Sequence, residues 1–513
     1  MTGAEALLRT LLDADINICF SNPGTSEMHF VAALDNNENM RCVLGLFEGV
    51  VTGAADGYAR MAGKPAATLL HLGPGLTNAM ANIHNAKRGP SAMVNVVGDH
   101  ASYHLQYDAP LTSDVPAIAA TMSDWVKTSK SADKVATDGA EAIATAMSGS
   151  GKIATLILPA DVSWNETEHG AAKVNHFPPP AAVNDTVIQQ AANALTSGEP
   201  CMILMGGSIS NERQILAANI CAHSSARLAC ETFTSKIARG AGCPEVERIP
   251  YMTEFALDVL KDLKHVILVG TDAPVSFFAY PNLPSELLPE TCSVHGLASL
   301  DQDMDDALKR LSQALKVDTT APLIEHTAVT LPQGDLNSES IAQSIAAQLP
   351  EHTVIVDEGI VGGMGVFGAT TTAAHHDWIL QTGGAIGWGL PAAAGAAIAV
   401  PDRKVVCLEG DGSAMYTIQA LWTMARENLD VTTIIFANRQ YAILQIEYSR
   451  VGAEGMGKNA AAQMSLSNPD INYVELATSM GVSATKASNA EEFNQQFAHA
   501  MATPGPHLIE AEI

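Results

Sequence analysis

Short, continuously apolar runs that each hand over to glycine or to a helical pattern constrain this chain more than any other feature. They occur at residues 16–20, 68–71, 93–97 and 155–158, again at 201–205 and 266–269, and again at 353–356, 405–408, 432–436 and 507–509. The runs do not alternate apolar with polar residues, so both faces of each strand must be covered. That is the pattern of a parallel sheet with helices on both sides. The expected fold class is therefore α/β, as three consecutive doubly wound domains with mainly parallel sheets. The first spans residues 1–165, the second 185–318 and the third 338–513. A polar connector over residues 163–185 carries Phe177-Pro178-Pro179-Pro180, and a second over 317–337 carries Pro322, Pro332 and Gly334. A length of 513 residues suits about three cores of ordinary size.

Charge excludes some partners. A net charge of -27 would be repelled by nucleic acid and by anionic membrane surfaces, so neither is expected as a partner. It does not exclude a phosphorylated cofactor, because a divalent cation and helix N-termini can supply a local positive field. The 8 cysteines form no C-x-x-C pair and mostly sit among apolar residues, as small buried hydrophobes in a reducing compartment would. No leader-like or membrane-spanning pattern is evident, and the expected location is the cytoplasm.

The segment Glu409-Gly410-Asp411-Gly412-Ser413 follows the apolar run 405–408, and the next run ends at Ala437-Asn438. Ligands of open α/β sheets bind at the carboxyl ends of strands. The two glycines are expected to permit a sharp turn and close approach to a phosphate. Asp411, with Asn438 on a neighbouring strand end, offers hard oxygen ligands of the kind Mg²⁺ prefers. In spacing and composition this stretch resembles the fingerprint of thiamine diphosphate-dependent enzymes. The resemblance is to the branch of benzoylformate decarboxylase and the acetolactate synthase large subunit. It implies thiamine diphosphate bound through Mg²⁺, with Gln440 ligating the metal through its main-chain carbonyl. Gly410, Gly412, Ser413 and Tyr441 would complete the cofactor segment. The chain departs from the family pattern at Ala437 and at Arg439, where glycine is common. Upstream, Gly383-Gly384-Ala385-Ile386-Gly387-Trp388 resembles the family segment in which a bulky residue supports the bent cofactor. Gly384 and Ile386 are the matching positions.

Glu48 lies in the apolar setting Leu44-Gly45-Leu46-Phe47-Glu48-Gly49, where a carboxylate needs a partner. The resemblance, carried by Ala54-Ala55-Asp56-Gly57-Tyr58-Ala59-Arg60, implies that the partner is the cofactor's aminopyrimidine. The first block would then be the pyrimidine-binding domain and the third the diphosphate-binding domain, with the middle one between them. It also implies that Glu48 faces cofactor held by a neighbouring subunit. A homodimer is then the minimal active unit, and a homotetramer is common.

His71 ends the run 68–71, beside the expected Gly-rich turn Gly73-Pro74-Gly75, a suitable place for proton transfer. The decarboxylase branch has a histidine there. Thr25, in Asn22-Pro23-Gly24-Thr25-Ser26-Glu27, matches a serine that faces the substrate carboxylate; the same residues also suit a helix start. Asn78 is a candidate for the cofactor pocket. The position of a second family histidine falls on Ala279, and His29, His100 and His104 are other histidines of the chain. No flavin-binding signature stands out in the middle block, so FAD is not expected.

The reading that follows is a non-oxidative decarboxylase or lyase acting on a 2-oxo acid, through a C2-ylid and an enamine. The alternative is an acetolactate synthase-like carboligase that joins the enamine to a second carbonyl compound. An inactive cofactor-binding homologue is a third reading, disfavoured by the presence of Glu48, Asp411 and Asn438 together.

Overall fold

The computed structural model describes residues 1–174, 179–453 and 455–513, so the Phe177-Pro178 part of the first connector lies outside the described residues. Its first sheet contains β1 (Ile18–Asn22), β2 (Arg41–Leu44), β3 (Ala66–Leu70), β4 (Met93–Asp99), β5 (Trp125–Thr128) and β6 (Ile153–Pro159). Their spatial order is β2-β1-β3-β4-β6-β5, and every pair is parallel. β3, β4 and β6 are buried along their whole length, as the unbroken apolar runs require.

The middle segment supplies β7 (Cys201–Met205), β8 (Ser208–Ile209), β9 (Arg227–Cys230), β10 (Lys236–Arg239), β11 (Glu247–Arg248), β12 (His265–Val269) and β13 (Ser293–Ala298). Five of these form a parallel sheet in the order β11-β9-β7-β12-β13. The third segment supplies β14 (Thr353–Glu358), β15 (His376–Leu380), β16 (Val405–Gly410), β17 (Val431–Ala437), β18 (Ser483–Ala487) and β19 (His507–Glu512). Its sheet runs β18-β19-β17-β16-β14-β15-β10-β8. The middle segment thus lends two strands to the third sheet, β10 pairing antiparallel with β15.

Each sheet has a switch point, where the connections leave in opposite directions and open a crevice. The switch points fall between β1 and β3, between β7 and β12, and between β14 and β16.

Helix contacts join the first and third units. The helices Glu48–Ala62 and Gly389–Ala399 pack backbone to backbone. A Cβ on Gly57 would lie 2.0 Å from the Ala392 carbonyl oxygen, and one on Gly395 would lie 1.8 Å from that of Ala54. One hydrophobic cluster accordingly runs from Val43 and Leu70 through Trp388 to Cys407 and Ile435. Among the described residues no helix is long and apolar enough to cross a membrane.

Candidate functional site

At the first switch point β1 leads through Pro23-Gly24 into the 3-10 turn Thr25–Glu27. Glu27 is buried, and its Oε2 accepts the Gly24 N–H at 2.8 Å and meets His71 Nδ1 at 2.8 Å. Ser26 Oγ donates to Glu27 Oε1 at 2.9 Å and lies 3.2 Å from His71 Nδ1. Two glycines make room for this dyad: a Cβ on Gly24 would lie 2.1 Å from His71 Nδ1, and one on Gly98 would lie 1.7 Å from Glu27 Oε1. A carboxylate on Nδ1 orients the imidazole and leaves Nε2 for proton transfer.

Thr25 is exposed and its hydroxyl makes no hydrogen bond among the described residues, so its neighbours Ser26 and Glu27 are the residues that reach His71. Neither was singled out from sequence for this role, since Glu27 reads there as part of a helix start.

The expected Gly-rich turn after His71 is instead the first turn of the helix Leu72–Arg88, with His71 at its N-cap. Pro74 is tolerated because first-turn N–H groups have no partner within the helix. Glu48 opens the helix Glu48–Ala62, where a negative charge is favoured by the helix dipole. Asn78 Nδ2 donates to Glu48 Oε2 at 3.0 Å. A Cβ on Gly75 would lie 3.0 Å from Glu48 Oε1 and 3.2 Å from His71 Cβ. Glu48, His71 and Asn78 therefore meet around one helical turn.

In the third unit β16 ends at Gly410, which caps the helix Asp411–Thr417. Neither glycine uses the left-handed backbone that a sharp glycine turn would need. Gly410 has an ordinary φ of -72°, and Gly412 is glycine because its Cβ would lie 2.3 Å from the Tyr441 ring. Asp411 is buried. Its Oδ1 accepts Gly412 N–H at 2.8 Å and its Oδ2 accepts Arg439 N–H at 2.5 Å, while Tyr473 OH donates to its carbonyl at 2.6 Å. Burial pushes its carboxyl above the usual range, and the N–H bonds oppose that. Asn438 Oδ1 accepts Gln440 N–H at 3.1 Å. Ser413 is buried one turn behind.

Among the described residues no three or more His, Cys, Asp or Glu gather as a metal cluster. The donors on offer are one carboxylate, one amide oxygen and one main-chain carbonyl, from Asp411, Asn438 and Gln440. Such a hard, sparse oxygen set fits Mg²⁺ that shares its shell with phosphates.

The loop carrying Gly384 and Ile386 is anchored from behind. Gly387, Trp388 and Gly389 donate their N–H groups to Glu358, at 2.9, 2.8 and 2.6 Å, and Gln381 Nε2 adds a fourth bond at 3.1 Å. Glu358 stands at the third switch point, in register with Glu409 of β16, and both are fully buried. Burial raises the Glu358 carboxyl to about 7; burial and the Glu358 charge push Glu409 well above the carboxylate range. Sequence reading missed both, although Glu358 follows a predicted strand as Asp411 does.

The Asp56-Gly57-Tyr58-Ala59-Arg60 motif proves to be a clamp on the same loop. Asp56 accepts Trp388 Nε1 at 2.7 Å and holds Arg60 through two bonds of 2.8 Å, and Arg60 donates to the Leu380 carbonyl at 2.5 Å. Ile386, half-buried, sits beside this anchored stretch.

The middle unit contributes an aromatic group. Phe277 packs within 5.6 Å of Phe233, 5.4 Å of Tyr251 and 4.9 Å of Phe278 between ring centroids, and it covers Gly384, whose Cβ would lie 2.8 Å from the ring. Ala279 is exposed beyond it. Of the other histidines, His29 packs on Trp164 at 5.1 Å and His100 on His104 at 5.5 Å. At the middle switch point Glu231 accepts the Gly207 N–H at 2.9 Å and the Thr271 hydroxyl at 3.0 Å, and burial raises its carboxyl to about 7. A carboxylate thus occupies the glycine loop where a dinucleotide phosphate would sit.

Comparisons with known proteins bear on the family and the fold. Residues 1–120 match the family described as thiamine pyrophosphate enzyme, N-terminal TPP binding domain, and residues 360–511 match the corresponding C-terminal TPP binding domain. The chain is 51% identical to the Mycobacterium tuberculosis protein named "Putative acetolactate synthase large subunit IlvX", over 100% of this chain and 99% of that one. It is 28% identical to benzoylformate decarboxylase of Pseudomonas aeruginosa, over 96% of this chain and 95% of that one. The fold matches a thiamine diphosphate-dependent 4-hydroxybenzoylformate decarboxylase of Rhodococcus jostii RHA1. That match has a TM-score of 0.86 and 24% identity and covers 100% of this chain and 99% of the other.

Proposed function

The chain belongs to the thiamine pyrophosphate enzyme family, and from that premise we propose that it is a Mg²⁺-dependent lyase that removes CO₂ from a 2-oxo acid. The observation that carries this reading is the Glu27–His71 dyad, set beside Glu48 on one helical turn. When bound, thiamine diphosphate supplies a carbon nucleophile and an electron sink for the 2-oxo carbon.

The chain's own residues do the rest. Asp411, Asn438 and the Gln440 carbonyl would hold the metal, with Gly410, Gly412, Ser413 and Tyr441 near the diphosphate. Glu48, steadied by Asn78, holds a proton at the aminopyrimidine. Ile386, with Gly384 beside it, would lie against the cofactor on the loop that Glu358 anchors. His71 moves a proton at the substrate oxygen through Nε2 while Glu27 keeps Nδ1 occupied. Thr25 is exposed beside Ser26, which touches both members of the dyad, and would face the substrate carboxylate.

No hydrogen bond or ion pair among the described residues joins Glu48 or Asn78 to residues 410–441. This supports a site completed by a second copy of the chain, with a homodimer as the minimal unit and a homotetramer as a further assembly. The Glu231 contacts support a middle unit without bound FAD.

The 51% identity to a protein named for acetolactate synthase favours one second reading, in which the carbon that lost CO₂ joins another carbonyl compound. Incubation with pyruvate, benzoylformate and longer 2-oxo acids, with CO₂, aldehyde and acyloin all quantified, separates the two. Aldehyde in step with CO₂ is expected; acyloin without aldehyde would transfer the assignment to carboligation.

A further inference from the structure

A cleft between the first and middle units lies apart from the site described above. It has a volume of about 170 Å³. Arg60, Ser91 and Ser150 line it from the first unit, and Ser208, Ser235 and Lys236 from the middle one. Its lining includes Ala92, the residue before β4, whereas Glu27 and His71 meet at the opposite, carboxyl end of that sheet. A strand of 7 residues, as β4 is, separates the two ends by roughly 20 Å.

Its charge also sets the cleft apart. The chain carries 55 acidic residues against 28 Lys and Arg, yet both charged residues of the lining are cations. Two neighbouring acids are committed. Asp56 holds Arg60 through two bonds of 2.8 Å, and Asp301, beside Gly149 at the edge, pairs with Lys152 at 3.3 Å. Arg60 uses its donors within the protein, on Asp56, the Ser235 and Leu380 carbonyls and Thr382 Oγ1. Lys236 does not. It is half-buried in the lining, and its ammonium has no acceptor among the described residues. The hydroxyls of Ser208 and Ser235 are unpaired among the described residues as well. Ser235 is only 4% exposed, and the surface it keeps lines the cleft.

An ammonium beside free hydroxyls suits a phosphate. A carboxylate is flat and favours the fork of a free arginine, which Arg60 cannot offer. A phosphate presents three acceptor oxygens to a point charge and to hydroxyl donors. The volume lies below the range of about 300–1,000 Å³ typical of drug-sized ligand pockets, so a small metabolite fits and a dinucleotide does not.

We propose that this cleft is a second ligand site, which takes the phosphate group of a small molecule on Lys236, Ser208 and Ser235 and acts on the cofactor loop through Arg60. Arg60 reaches both places, bonding the Ser235 carbonyl at 3.3 Å and the Leu380 carbonyl at 2.5 Å. A ligand that draws the first and middle units together steadies Arg60 against residues 380–382, which lead into Gly384 and Ile386. The coupling is reciprocal, so ligand and thiamine diphosphate tighten each other's binding by the same factor. It does not depend on which 2-oxo acid reaction the enzyme performs.

The test uses inorganic phosphate, glycerol 3-phosphate and glucose 6-phosphate, with succinate as the carboxylate control. Calorimetry follows their binding to the Mg²⁺- and thiamine diphosphate-loaded enzyme, whose own diphosphate site is then filled. Wild type should bind at least one phosphate compound, once per chain, and succinate more weakly. Affinity should fall about tenfold or more in Lys236→Glu and in Ser208→Asp, and return in Lys236→Arg. Tm and basal turnover of these variants should match wild type. Ser208 is exposed, so Ser208→Asp decides the matter if Lys236→Glu lowers Tm. Equal affinity for phosphate and its esters identifies free phosphate as the ligand, and tighter ester binding identifies a metabolite; either supports the site. Thiamine diphosphate affinity, measured with the tightest compound present, should rise about fivefold in wild type and not in Lys236→Glu. No phosphate compound bound by wild type, succinate bound as tightly, or binding unaltered in both charge variants would overturn the site. Cofactor affinity unchanged or lowered by the compound would overturn its action through Arg60.

Discussion

Arg439 occupies a left-handed conformation, φ +57°, directly after Asn438. Its N–H donates to Asp411, and its guanidinium pairs with Asp470 and Glu512, both partly exposed. The backbone explains why glycine is common at this position in the family, and the ion pairs offset the strain that arginine brings. Arg439→Ala keeps the strain and loses the pairs, whereas Arg439→Gly loses both. The alanine variant should be less stable than the glycine variant by about 1 kcal/mol in denaturant unfolding. Leu72 and Ile360 are strained in the same way, at φ +46° and +45°. All three follow strand ends that carry site residues.

Two further predictions belong to single residues. Glu48→Gln should lower turnover at least about 100-fold with the circular dichroism spectrum and Tm unchanged. His71→Ala should lower kcat by a similar factor, and Glu27→Gln by less, because it disturbs orientation and leaves the imidazole in place. Equal activity of all three with wild type would remove the proton-handling assignment. Glu48, Asp411 and Asn438 were legible from sequence because each lies in a stretch whose spacing or apolar setting singles it out. Glu27 and Glu358 were not, because His71 and the Trp388 loop that they hold lie far away in sequence.

At the level of elements, the β-strand positions were readable because buried parallel strands are continuous apolar runs. The start of the helix Leu72–Arg88 was not. Gly73-Pro74-Gly75 has the composition of a turn, yet the first turn of a helix tolerates proline and here needs glycine for Ser113 and Glu48. The crossing of the Glu48–Ala62 and Gly389–Ala399 helices depends on Gly57 and Gly395 in the same way. Gly57→Ala would press a methyl group onto the Ala392 carbonyl and should lower Tm by several degrees and weaken cofactor binding through Trp388. A Tm equal to wild type would show that the helices separate freely.

The middle sheet offers a pH test. The Glu231 carboxyl is raised from 4.5 to about 7 in the folded protein, so the folded state holds its proton more tightly than the unfolded one. Its destabilising effect is absent below the unfolded value, grows as pH rises, and is complete above about 7. Glu231→Gln should therefore raise the unfolding free energy at about pH 8 by on the order of 3 kcal/mol, and leave it nearly unchanged at about pH 3.5. A gain at both pH values would mean that charge burial is not the cause.

At the scale of the whole molecule, three α/β units were expected and three sheets are present. Sequence could not show that β8 and β10 cross into the third sheet, nor that Asp56 and Arg60 clamp the Trp388 loop. Both are pairings between residues more than a hundred positions apart. They tie each unit of one chain to the third, while Glu48 remains without a contact to the Asp411 segment among the described residues. The account therefore holds that one active site draws Glu48 from one copy and Asp411 from another. Mixing Glu48→Gln with Asp411→Asn, after dissociation and reassociation, tests that claim most directly. Each variant alone should release no CO₂ from a 2-oxo acid that wild type consumes. A mixed dimer regains one intact site of two, so an equal mixture should recover about a quarter of wild-type activity. A mixture as silent as its parents, beside an active wild type, would contradict the account.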